Sequence, residues 1–253
     1  MGIAKELAGR IGAFSYDVLP DEAVLWAKTA ILDTVGVTLA GSGEKCVRIL
    51  ESVHGIGDGG GPCLVFGRAA RTGPLDAGLI NGTASHALDF DDMAPSIGGH
   101  PSVPLVPAII AFGEMTGASG KDVLTAYVAG FETESRIARA VNFHHYEKGW
   151  HPTTTLGIFG TVAASALLLG LSEDETETAL ALAVSLASGV KANFGTMTKP
   201  LHVGHCVRNG MLAAILARQG FTAAGDAFEH GHGFLNVFNG PGNFDAEKIF
   251  DNW

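Results

Sequence analysis

Apolar positions recur at helical rather than alternating spacing through most of this chain, and the pattern predicts a helical protein. Residues 3–14 read as a short amphipathic helix. Pro20-Asp21-Glu22 opens the next one: proline suits a first turn, and acids there face the positive end of the helix dipole. That helix carries Trp26, Ile31, Val35 and Leu39 at near 3.6-residue spacing and ends at Gly41-Ser42-Gly43. Further helices are predicted over residues 74–88, 103–116, 121–140, 153–170, 172–188 and 209–220. Ser172 and Glu175 have the spacing of a capping box. Alanine and glycine are frequent in these segments, and their small side chains let neighbouring helices approach closely.

Cys63 to Phe66 is a short strand candidate, so at most a short β-hairpin near residues 62–72 is expected in an otherwise all-α, multi-helix domain over residues 1–253. Gly55-x-Gly57-x-x-Gly60 matches a dinucleotide fingerprint in spacing only. A helical segment precedes it and a strand follows, whereas the fingerprint requires strand, loop, then helix. Residues 55–62 are therefore read as a surface turn. No internal repeat, low-complexity tract or linker interrupts the chain.

Composition narrows the function classes. A 253-residue chain with 47% hydrophobic residues can bury a single large core. Its formal charge of −10 argues against sequence-independent DNA or RNA binding, which needs clustered lysine and arginine. Three widely spaced cysteines, Cys46, Cys63 and Cys206, suggest neither a disulfide framework nor a thiolate zinc site, and a reducing cytoplasm is expected. The N-terminus lacks an apolar signal core. The most membrane-like run, residues 156–171, is short for a span and interrupted by Gly, Thr and Ser, so no membrane is expected as a partner.

Candidate chemistry is concentrated in Asn81-Gly82-Thr83-Ala84-Ser85-His86-Ala87-Leu88-Asp89-Phe90-Asp91-Asp92. Asp89, Asp91 and Asp92 stand where a helix should end, and acids there oppose the dipole. Local stability does not favour them, which points to function; the alternative is a solvated acidic turn. Eight residues beyond Asp92 comes His100. His100 and His151 each precede a proline and a predicted helix start, where backbone N–H groups favour anions. Lys199, His202 and Arg208 make a local basic cluster suited to clamping a carboxylate or phosphate, although Asp89 pairing with Lys199 would be purely structural. His202-x-x-His205-Cys206 invites a metal reading, but the His-Glu-x-x-His signature is absent and no metal is assigned. His144 and His145 read as exposed loop residues, and His230 and His232 as part of a flexible turn. Neither a Gly-x-Ser-x-Gly elbow nor a Walker A pattern occurs.

These segments together resemble the MmgE/PrpD family. The resemblance rests on Phe66-Gly67 followed by Pro74-Leu75-Asp76-Ala77, on Asn81 through Asp92, on His100-Pro101-Ser102, on His151-Pro152-Thr153-Thr154, on Thr198-Lys199-Pro200-Leu201-His202-Val203-Gly204, and on Gly233-Phe234. It implies a helical domain and a smaller α/β lid with the active site between them. This chain corresponds to the helical part and stops near where the lid should begin. The lid tyrosine of the family has no position here, so a truncated or split protein is expected, with the lid on a separate chain or removed.

The resemblance further implies a lyase or isomerase acting on a small di- or tricarboxylate without metal or organic cofactor, and a homodimer formed through the helical domain. Dehydration of 2-methylcitrate, decarboxylation of cis-aconitate and epimerisation of iminodisuccinate all occur in the family. Its catalytic positions fall on Asp89, His100, His151 and Lys199, with Asp92, Met93, His202 and Arg208 as substrate-binding candidates. Met93 stands where threonine is common, which bears on substrate choice. In such chemistry Lys199 and His151 would hold carboxylates, and His100 or Asp89 would move the proton. Two other readings are a catalytically silent helical dimerisation module and a metallohydrolase using Asp91, Asp92 and His205.

Overall fold

The computed structural model describes residues 2–253. It is mainly helical. α1 (Ile3–Gly12), α2 (Asp21–Gly41) and α3 (Lys45–Glu51) lead to a two-stranded hairpin, β1 (Cys63–Leu64) and β2 (Arg71–Thr72). The strands are antiparallel, with Cys63 opposite Thr72 and Leu64 opposite Arg71. Then follow α4 (Pro74–Ser85), α5 (Ser102–Thr116), α6 (Gly120–Val141), α7 (His144–Glu147), α8 (Pro152–Thr155), α9 (Gly157–Leu169), α10 (Glu173–Leu186), α11 (Thr198–Arg218) and α12 (Phe234–Asn239). The hairpin lies where the sequence places it. Residues 55–62 carry no strand or helix, as a surface turn requires.

Close helix crossings organise the core. A Cβ on Gly82 of α4 would lie 2.9 Å from the Cα of Gly204 on α11, and one on Gly204 would lie 2.2 Å from Thr83 Oγ1. Only glycine permits this approach, and it brings the end of α4 beside the start of α11. α6 and α9 meet the same way: a Cβ on Gly130 would stand 2.9 Å from the carbonyl oxygen of Gly160. The helical run Pro152–Leu169 is long and apolar enough to cross a membrane, but 89% of it is buried inside the fold, as a core helix is.

Several boundaries depart from the sequence reading. α11 begins at Thr198, eleven residues earlier than the pattern predicts. Pro200 does not prevent this, because a first-turn N–H has no partner within the helix in any case. α4 stops at Ser85, before Leu88. The capping box at α10 is present: Glu175 N donates to Ser172 Oγ (3.2 Å) and Ser172 N to Glu175 Oε2 (2.8 Å). A second one, Ser119 with Asp122, starts α6.

The stripe read on α2 is covered only in its middle: Ile31 and Val35 pack, partly buried, against the core. Trp26 is 63% exposed and Leu39 is exposed as well, while Val24, Ala27, Thr34, Val37 and Thr38 turn inward. α2 is apolar nearly all round, so spacing alone does not choose a face. It too has the length and hydropathy of a membrane-crossing helix, with 28% of it buried.

His145 corrects another expectation. It is not an exposed loop residue: α7 carries it into the interior with no exposed surface. Its Nδ1 lies 2.9 Å from Asn239 Oδ1 and its Nε2 2.7 Å from Thr155 Oγ1, and burial pushes its pKa down to about 4. The ring packs against Trp150, Phe234 and Phe238.

Candidate active site

The acidic turn works through one backbone conformation. His86 leaves the end of α4, and Asp89 takes φ = 56°, the left-handed region that residues with a Cβ seldom adopt. His86, Asp89 and Asp91 consequently converge on one side of the turn. Asp91 is 7% exposed and His86 1%. His86 Nδ1 lies 3.0 and 2.9 Å from the two oxygens of Asp91. His100 Nδ1 makes a charge contact with Asp91 Oδ2 at 3.0 Å.

Burial alone would raise the pKa of Asp91. The contacts from His100 and His86 outweigh burial and hold the carboxyl well below the usual range. An ionised carboxylate only accepts, so both Nδ1 atoms present protons to it. The two Nε2 atoms then face Asp89 Oδ1, at 3.9 Å from His86 and 3.8 Å from His100. Lys199, in the first turn of α11, places its ammonium on that same oxygen.

The His100 loop is pinned from both sides. His100 N donates to Thr153 Oγ1 (3.0 Å) on α8, and Asn142 Nδ2 donates to the carbonyl of Ser96 (3.0 Å). Gly99 lies against Thr153 so closely that a Cβ would stand 2.8 Å from its N and Oγ1. His151, at the head of α8, is 2% exposed. Its Nδ1 is 3.3 Å from His202 Nδ1, its ring meets Phe194 at 4.8 Å, and its buried Nε2 has no hydrogen-bond partner.

Electrostatics separate these imidazoles. Burial pushes His151 down to about 2, helped by the neighbouring His86, His202, Lys199 and His100. Burial would also lower His100, but Asp91 and then Asp89 outweigh it, and its pKa is raised. The two rings are thus pushed in opposite directions, the usual separation between a group that gives a proton and an uncharged ligand or base. His202 is lowered, by burial first and then by His205 and His86.

Asp89, Met93, His100, His151, Phe194 and Lys199 line a cleft of about 310 Å³. Four of the sequence-derived candidates, Asp89, His100, His151 and Lys199, thus meet in one place, with Met93 at the rim. His202 stands behind His151. Asp92 turns away and caps the start of α5, accepting from Ser102 N (3.3 Å) and Ser102 Oγ; that hydroxyl also meets Tyr127 OH at 2.7 Å. A helix N-terminus attracts a carboxylate, which is why Asp92 parts from its neighbour. Arg208 lies about 14 Å along α11 from Lys199 at 1.5 Å per residue and does not line the cleft. His205 lies beside Asn209 and Ser188, not with the acids.

Sequence reasoning gave His86 and Phe194 no role and passed over Asp91 as a proton-holding hub. The signal for the first was present in the spacing His86-x-x-Asp89-x-Asp91; Phe194 carries none.

A family model described as the MmgE/PrpD N-terminal domain matches residues 5–247. The chain is 33% identical to a cis-aconitate decarboxylase of Mus musculus over 92% of this chain and 49% of that protein. It is 34% identical to the cis-aconitate decarboxylase of Homo sapiens (86% and 46% covered) and 30% identical to that of Aspergillus terreus (94% and 50%). The chain spans about half the length of the curated relatives it matches.

Proposed function

The chain belongs to the MmgE/PrpD family, and from that premise we propose that its cleft is half of a carboxy-lyase site for a tricarboxylate of the cis-aconitate kind. The observation that carries this reading is the meeting of Asp89, His100, His151 and Lys199 around one anion-sized cleft. In this reading the Lys199 ammonium binds a substrate carboxylate and spreads the negative charge that develops as the bond to the departing CO₂ breaks. The electron pair moves into the conjugated carboxylate, and His100, whose hold on a proton Asp91 strengthens, returns a proton to carbon. His151, uncharged and with Nε2 free, donates or accepts a hydrogen bond without adding charge. Charge stabilisation by an ammonium needs neither metal nor organic cofactor.

The cleft is open, and exposed large apolar side chains stand at its edge: Met93 lines it, Phe143 packs against Gly98 of its lining, and Phe90 follows Asp89 in the chain. This collar supports a second body, such as an α/β lid, closing over the substrate and excluding water. Exposed Leu25, Trp26 and Leu32 on α2 support self-association through the helical domain. Three unpaired thiols fit a cytoplasmic setting.

The test is turnover. The protein extended to the length of its relatives is assayed with cis-aconitate and related di- and tricarboxylates for CO₂ release. Turnover that collapses in Lys199→Ala and His100→Ala is expected. Variants as fast as the parent, or no CO₂ from any tricarboxylate, would sink the reading.

A further inference from the structure

The same turn holds an arrangement that proton transfer does not require. His86 has no exposed side-chain surface, and its Nε2 has no hydrogen-bond partner. Nδ1 is taken up by Asp91, and the buried Nε2 faces Asp89 Oδ1 across 3.9 Å, too far for a hydrogen bond. A polar atom left in this state is costly unless something fills the space before it. His100 presents its Nε2 to the same oxygen. A carboxylate that accepts from the far nitrogen of a ring is the device that fixes metal-ligating histidines, and here one carboxylate serves two. One ligand atom each from His86, Asp89, Asp91 and His100 lie within 4.8 Å of one another. A tetrahedral metal at about 2.0–2.2 Å from each ligand sets them roughly 3.3–3.6 Å apart, a little less than the 3.9 and 3.8 Å that now separate the two Nε2 atoms from Asp89 Oδ1.

We propose that His86 Nε2, His100 Nε2 and Asp89 form a site for a divalent cation that favours imidazole, Zn²⁺ or Co²⁺, which enters by displacing the Lys199 ammonium from Asp89 and silences the cleft. Two nitrogens and one carboxylate favour such ions over Mg²⁺ or Ca²⁺, which take oxygen ligands. The lysine holds the cation position in the metal-free protein, since its ammonium already sits on Asp89. Ion and ammonium exclude each other by like charge. Metal on His100 removes the nitrogen that would deliver the proton, and Lys199 loses its anchor. The silencing step rests on the proposed lyase reading; the binding step does not.

Binding is measured first, by titrating Co²⁺ and Zn²⁺ into the metal-free protein with Co²⁺ absorption and calorimetry as readouts, and Mg²⁺ as comparison. One equivalent is expected, with a ligand-field spectrum showing nitrogen ligation. His86→Ala and Asp89→Asn should weaken it at least about tenfold, and Asp91→Asn about 10- to 100-fold. Lys199→Met should tighten binding about tenfold or more, a gain that misfolding cannot imitate. The double variant His230→Ala/His232→Ala, which removes the adjacent rings outside this turn, should bind as the parent does. No stoichiometric binding, binding indifferent to His86→Ala, or Lys199→Met binding more weakly would each overturn the site. In the longer protein, one equivalent of Zn²⁺ should abolish turnover and a chelator restore it. Full turnover with metal bound overturns the silencing. Absence of turnover with and without metal counts against the lyase reading, while the binding arm still judges the site.

Discussion

Two sets of buried histidines flank α8, and they differ in how completely they are satisfied. His145 is enclosed, uncharged and bonded at both nitrogens, to Asn239 and Thr155. His86 and His151 are equally enclosed, yet each keeps an Nε2 without a partner. Burial lowers the pKa of His145 and His151 alike, so neither burial nor the direction of the shift separates a structural ring from a working one. The unspent nitrogen does. A fold that leaves buried donors or acceptors idle bears a cost that ligand binding can offset.

The largest effect expected is on turnover at the cleft. In the longer protein, His100→Ala or Lys199→Ala should lower kcat/KM about 10²–10⁴-fold. The Lys199–Asp89 pair is partly solvated, so Lys199→Ala should shift stability by about 1 kcal/mol or less in urea unfolding. Similar turnover in parent and variants would remove the functional half of the comparison.

The structural half predicts the reverse pattern. His145→Ala leaves a void and strands Asn239 and Thr155, and should cost about 2–4 kcal/mol by urea unfolding. Its kcat/KM per folded molecule should remain within about threefold of the parent.

Stability against pH sharpens the contrast. His145 is neutral in the fold down to about pH 4, whereas the unfolded chain takes up the proton near pH 6.5. Stability is therefore lost as pH falls below about 6.5, by about 2 kcal/mol from this group between pH 7 and 5. His151 acts in the same direction and window. His100 has the opposite sign: its contribution is full below about pH 6.5 and is lost as pH rises through its raised value. Asp91 contributes above about pH 4, and that is lost only as pH falls through its depressed value. Unfolding midpoints at pH 7, 6 and 5 should show His145→Gln with a shallower acid slope than the parent.

The smallest effect belongs to Asp92. Asp92→Asn should cost about 1 kcal/mol or less by denaturation, since the amide oxygen still caps α5, and should leave kcat/KM within about threefold. Asp91→Asn, one residue away, should lower kcat/KM tenfold or more, because the amide no longer raises the pKa of His100.

Legibility followed the range of the forces involved. The hairpin, the α10 capping box and most helices were readable because each depends on residues a few positions apart. Asp89 drew attention because three acids at a helix end conflict with the dipole, and Lys199 because it is basic in an acidic chain. Asp91 and Asp92 were indistinguishable as neighbours. One pairs with His86 and His100, the other caps α5, and the left-handed turn at Asp89 together with the N-terminus of α5 parts them. Arg208 shares a helix with Lys199, and no local signal reports how far along it the cleft extends.

By itself the amino-acid order determined the helical class, the place of the hairpin and the residue types able to move protons and hold anions, because periodicity and side-chain chemistry are local properties. Tertiary packing decided which face of α2 is covered, that His145 is interior, and that Lys199 reaches Asp89 across 110 positions of chain. That last contact exists because Gly82 and Gly204 let α4 and α11 touch backbone to backbone, setting the end of one helix against the start of the other.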